Sequence, residues 1–112
     1  MSKFKIKNKK ICILGGTFDP PHSGHLYISK IAIKKLKLDK LLWVVTKKNP
    51  LKNKPYLNLK TRINLSKKIT SQEKKIHVKY LDEKVKSLNT YDLIIYIKKK
   101  NKKAKLFFLI GA

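Results

Sequence analysis

The stretch KKICILGGTFDPPHSGHLYISKIAIKKL, residues 9–36, changes character twice. Residues 9–14 are a short apolar run with β-branched side chains that ends at glycine, the pattern of a buried strand. Residues 15–23 are turn chemistry: Gly15, Gly16, Asp19, Pro20, Pro21 and Ser23. From about residue 24 to 38, Leu26, Ile28, Ile31, Ala32, Leu36 and Leu38 recur near helical spacing, with lysines between them. This predicts an amphipathic helix, with Ser23 or Pro21 near its start. A strand, a glycine turn and a helix open an α/β sheet, and such sheets bind ligands beyond the carboxyl ends of their strands.

The rest of the chain continues the alternation. LLWVVT, 41–46, is a second continuous apolar run, as expected for a strand covered on both faces. A polar loop, KKNPLKNKP, fills 47–55, and Asn58 is placed to cap a helix over 59–70. IHVKY, 76–80, alternates like a half-buried strand. Thr90 precedes a third helix, 91–101, which carries Leu93, Ile94 and Ile97, and AKLFFLIG, 104–111, reads as a fourth strand. The order β-α-β-α-β-α-β predicts an α/β, Rossmann-like parallel sheet with helical crossovers. One domain is expected over 1–112. It reads as incomplete at its C-terminus, because the sequence stops where the loop after the fourth strand should begin.

Composition narrows the classes. The chain has 112 residues and a formal net charge of +23. No apolar run approaches the roughly 20 residues of a membrane span. The basic N-terminus is not followed by the apolar core of a signal peptide. Cys12 is the single cysteine and has no internal partner, so a cytoplasmic protein is expected. The charge invites a nucleic-acid reading, but Arg62 is the lone arginine among 29 basic residues. Base readout and bidentate phosphate recognition favour arginine. Lysines spread along the chain beside many Ile and Asn fit AT-rich coding, so a nucleic-acid partner is not the favoured reading. The charge still attracts small anions.

The turn after the first strand carries the chemistry. Gly15 and Gly16 allow backbone to approach a ligand with no Cβ between them. Gly24 allows the same at the helix start. A helix N-terminus offers free N–H groups and partial positive charge, which suits phosphate. His22 and His25 are three apart, on one side of the first helical turn, and add side-chain donors. Two histidines are too few ligands for a zinc site, and Cys12 and Asp19 are poorly placed to complete one. No G-K-[ST] follows the glycines, so this is not a Walker A loop, nor is it the G-x-G-x-x-G fingerprint. Cys12 and Trp43 are expected in the core and His77 in solvent. Asp19 is expected to brace the turn through backbone N–H groups.

GGTFDPPHSGHL, 15–26, resembles the signature of the nucleotidylyltransferase superfamily, His/Thr-x-Gly-His between the first strand and first helix. Within it, the stretch looks most like the bacterial nicotinate-mononucleotide adenylyltransferase family. NPLK, 49–52, resembles that family's substrate loop, and Thr90 with Asp92 resembles the Thr-x-Asp opening of its third helix. Lys47-Lys48 departs from the proline-containing sequence usual before that loop.

The resemblance implies adenylyl transfer from ATP to nicotinate mononucleotide, giving nicotinate adenine dinucleotide and pyrophosphate in NAD biosynthesis. It implies His22 and His25 as the catalytic pair on the ATP phosphates. Gly15, Gly16, Thr17, Phe18 and Gly24 then bind nucleotide, with Lys52 toward phosphate and Thr90 near the nicotinate ring. Mg2+ is expected on the ATP and pyrophosphate oxygens, with no protein metal site. FFLIGA, 107–112, resembles the strand before the family's Gly-x-Asp loop, whose acid and later Ile-Arg segment lie outside this sequence. Two other readings stand beside the enzyme: a non-catalytic truncated remnant, and a basic nucleic-acid-binding module.

Overall fold

The structure, a computed structural model, describes residues 9–47, 54–86 and 90–109. β1 (Lys10–Gly16), β2 (Lys40–Val45), β3 (Ile76–Lys79) and β4 (Lys105–Leu109) form one parallel sheet in the order β3-β2-β1-β4. Helix α1 (Ser23–Leu36) joins β1 to β2, and α2 (Leu59–Ile69) precedes β3. A one-turn helix α3 (Asp82–Val85) and then α4 (Thr90–Lys100) precede β4. This is the Rossmann-like sheet that the alternation predicts. Two details differ. α3 was not expected, because four residues are too few to leave a periodic apolar signal. Thr90 is the first residue of α4 rather than the residue before it.

Strand alternation divides the core in two. Cys12, Leu14, Leu41, Trp43 and Val45 face α1 and α2, packing with Leu26, Ile33, Leu59 and Ile63. Ile11, Ile13, Leu42 and Val44 face the other way, against Leu93 and Ile97 of α4. Burial on both faces is why β1 and β2 read as unbroken apolar runs. Each fully buried aliphatic side chain in them contributes about 1.5–3 kcal/mol. Cys12 is fully buried and its thiol is pushed up to about 11, chiefly by that burial, so it stays protonated and unreactive. Ile28 and Ile31, expected on the inner face of α1, are 39% and 37% exposed. The apolar arc of α1 is wider than the sheet surface beneath it.

The strand order fixes where a ligand fits. The chain passes from β1 to β2 to β3 in one direction, then crosses to place β4 on the other side of β1. The order therefore reverses between β1 and β4. In open α/β sheets the binding crevice lies at such a point, beyond the carboxyl ends of the strands.

Candidate active site

β1 ends at Gly16, and α1 begins seven residues later with His22 as its N-cap. His22 has extended backbone (φ −147°, ψ 176°), and its Nδ1 accepts the N–H of Gly24 at 3.0 Å. His25 Nδ1 accepts the N–H of His22 at 3.1 Å. This is a reciprocal capping box, usually built from Ser/Thr and Glu/Gln, made here from two imidazoles. The cap is thus His22, and Ser23, expected near the helix start, is the first helical residue. The first turn of α1 holds no acidic side chain, so nothing in it neutralises the positive end of the helix.

The cap determines the state of the rings. An Nδ1 that accepts an N–H carries no proton, so each neutral imidazole bears its proton on Nε2. The ring centroids are 4.0 Å apart, and each ring keeps an Nε2–H donor free of its own cap. Burial, and then the neighbouring His22, hold the His25 pKa below the ordinary value of 6.5. Both effects favour the neutral form that the cap requires. Gly24 makes this arrangement possible: a Cβ there would lie 2.8 Å from Cε1 and 2.9 Å from Nδ1 of His22.

Beneath the pair lies an aromatic floor. Phe18 is 4.8 Å from the His25 ring and stacks on Trp43 at 4.9 Å with an interplanar angle of 21°. Trp43 Nε1 donates to Ser29 Oγ at 2.8 Å, and Ser29 Oγ donates to the His25 carbonyl at 2.7 Å. The Phe18 side chain is buried, and its backbone takes φ 52°, the left-handed region. The Phe18 ring therefore supports His25, and what it leaves for a ligand is its backbone.

Three buried or half-buried side chains tie the loops at the carboxyl ends together. Asp19, expected to brace its own turn, instead accepts the N–H groups of Tyr56 and Leu57, the latter at 2.7 Å, and so ties that turn to a distant loop. Asp82 accepts the N–H of Lys47 at 2.7 Å. Arg62 is 1% exposed and donates to four carbonyls: Thr17 at 2.8 Å, Thr46 at 2.7 Å, Lys47 at 2.7 Å and Leu57 at 3.0 Å. From sequence Arg62 stands out only as the lone arginine. The available signal was its spacing, since it stands between Leu59 and Ile63 on the inward face of α2.

Of the residues singled out from sequence, the structure brings together Gly15, Gly16, Thr17, Phe18, His22, Gly24 and His25. A Cβ on Gly15 would meet nothing within 4 Å, so space is open above the end of β1. Thr90 is exposed at the start of α4, on the opposite sheet face from α1, and is not part of this cluster. Lys52 lies outside the described residues. Among the described residues no group of three or more His, Cys, Asp or Glu is placed to hold a metal ion. An open hollow of about 480 Å³ flanks the first turns of α1, lined by Ser23, Gly24, Leu26, Tyr27 and Lys30. Lys30 is paired with Glu73 at 3.1 Å.

The profile of the cytidylyltransferase-like family matches residues 13–112. A probable nicotinate-nucleotide adenylyltransferase of Pelagibacter ubique is 51% identical over 106 residues, which cover 95% of this chain and 58% of that protein. A second, from Ruegeria sp., is 33% identical over 100 residues, covering 89% of this chain and 52% of that protein. Among solved structures, Plasmodium falciparum nicotinic acid mononucleotide adenylyltransferase complexed with NaAD aligns with a TM-score of 0.76 at 25% identity. That alignment covers 93% of this chain and 52% of that one. The chain spans about half the length of the relatives it matches. The matched region takes in most of the sheet, the glycine turn and the paired histidines at the start of α1, and the chain belongs to the cytidylyltransferase-like family.

Proposed function

We propose that this chain serves adenylyl transfer from ATP to nicotinate mononucleotide, forming nicotinate adenine dinucleotide and pyrophosphate in NAD biosynthesis. The observation that carries the reading is the imidazole cap. It sets two Nε2–H donors at an unneutralised helix N-terminus, beside an open glycine turn and next to the point where strand order reverses. The names of the relatives support the choice of substrates.

In this reading the 5′-phosphate oxygen of the mononucleotide attacks the α-phosphorus of ATP in line. The bond to the β-phosphate oxygen breaks, and its electron pair leaves with pyrophosphate. No protein nucleophile takes part, so catalysis is positioning and stabilisation of charge. His22 and His25 donate Nε2–H bonds to phosphate oxygens as negative charge builds there. Gly15, Gly16, Thr17 and Phe18 offer backbone, and Gly24 leaves room for the His22 ring. Lys52 is assigned to phosphate and Thr90 to the nicotinate side. ATP enters as its Mg2+ complex, the ion riding on substrate oxygens. The net charge of +23 draws these anions in. No helix among the described residues is long and apolar enough to cross a membrane, and the proposed setting is the cytoplasm, as one nucleotidylyltransferase-like domain.

The test is pyrophosphate release by the chain with MgATP and nicotinate mononucleotide. Release should need both substrates and fall at least about 100-fold in His22→Ala and His25→Ala, the cost of losing one donor to developing charge. Release that survives both substitutions, or that needs one substrate alone, sinks the proposal.

A further inference from the structure

We infer that Arg62 is a positioning residue: it turns the peptide after Thr17 so that the N–H groups of Thr17 and Phe18 point together into the crevice between β1 and β4. This rests on the functional reading above for the identity of the ligand, but its geometric content does not.

In a trans peptide, C=O and the following N–H point in opposite directions. The carbonyl of Gly16 accepts Thr46 N–H at 2.8 Å and Thr46 Oγ1–H at 3.2 Å, which fixes it on the β2 side. Thr17 N–H must then point away from β2, toward β4. In a continuing strand the next carbonyl would point to the opposite side. Here it does not, because Arg62 Nη1 binds the Thr17 carbonyl at 2.8 Å and the Thr46 carbonyl at 2.7 Å together. Two successive carbonyls are thus held on the β2 side, and two successive N–H groups face the other way. Phe18 completes the curl in the left-handed region. Successive N–H groups on one side of a curled backbone form an anion-binding concavity. Among the described residues, neither of these N–H groups has a hydrogen-bond partner.

The charge of Arg62 points the same way. A buried cation is normally paired with a carboxylate. Arg62 is bound by four carbonyl oxygens, and among the described residues no carboxylate pairs with it. Asp19 and Asp82, which serve the same loops, bind backbone N–H groups instead. The guanidinium's positive charge is therefore left for an anion on the far side of the loop that it holds. Only a planar fork can reach carbonyls in three separate segments at once, so a lysine cannot substitute.

Two measurements on the whole chain test this. Residual dipolar couplings of the Thr17 and Phe18 N–H bonds, without ligand, are compared between wild type and Arg62→Met. Titration with inorganic pyrophosphate follows the same amide resonances. The coupling at Phe18 should change, while those of Thr17, which Thr46 holds through the Gly16 carbonyl, and of β1 and α1 stay as they are. The pyrophosphate affinity should fall roughly tenfold to a hundredfold, the worth of hydrogen bonds to a charged group. Loss of stability alone leaves native-state couplings where they were, so unchanged couplings in a folded variant overturn the inference. Arg62→Lys keeps the charge without the fork and takes the place of Arg62→Met if the latter does not fold; it should show the same change at Phe18. If wild type does not bind pyrophosphate while Arg62→Met still reorients the Phe18 amide, the functional reading fails and the role of Arg62 stands.

Discussion

Helices α1 and α2 both begin with a side chain that accepts a backbone N–H, and they do so with different chemistry. At α2, Asn58 Oδ1 takes the N–H of Thr61 at 2.8 Å. At α1, His22 Nδ1 takes the N–H of Gly24, and His25 Nδ1 takes the N–H of His22. Asn ranks with the best N-caps, and it does not titrate. An imidazole is a less common cap, but capping occupies one ring nitrogen and leaves the other as a donor. The α2 cap serves the helix. The α1 cap serves the helix and also holds two outward donors in one tautomer.

The largest effect comes from making α1 like α2. His22→Asn should keep the cap and the fold but lose the outward donor, lowering turnover about 100-fold in the pyrophosphate-release assay. Turnover at the wild-type level would make His22 a cap and nothing more. Next is Gly24→Ala. Alanine favours a helix, but its Cβ displaces the His22 ring, so pyrophosphate affinity should drop about tenfold while urea denaturation shows little loss. The counterpart at α2 is Asn58→Ala, which should cost about 1 kcal/mol in urea denaturation and leave substrate turnover unaltered. A turnover defect there would erase the contrast between the two caps.

The smallest effect is on pH. His25 and His77 both have pKa values held below 6.5, each chiefly by burial. The unfolded chain binds these protons more readily than the folded one, so stability falls as pH drops below 6.5 and is level above it. Denaturation midpoints across that range should show the fall, and His25→Asn should make it shallower. A midpoint that rises on acidification would contradict the neutral cap.

Much of this was legible in the sequence, and for stated reasons. The apolar runs of β1 and β2 are continuous because both sheet faces are covered, so the parallel sheet could be read directly. Asn58 was legible because its type and position match the rule for caps. The histidine pair was legible as a cluster but not as a capping box, because Ser23 is the ordinary choice and the geometry of an imidazole cap leaves no mark in spacing. Arg62 was obscured by its company: one cation among 29, buried by tertiary packing that no local pattern reports. Ile28 and Ile31 misled in the opposite sense, since helical spacing shows which residues share an arc but not how much of that arc is covered.

Trp43 has a consequence of its own. It is the single tryptophan of the chain, fully buried, stacked on Phe18 and 5.8 Å from the His25 ring. Its indole N–H is also joined through Ser29 to the His25 backbone. The protein therefore carries an optical probe under its glycine turn, and the emission of one fluorophore reports on the histidine above it without a label.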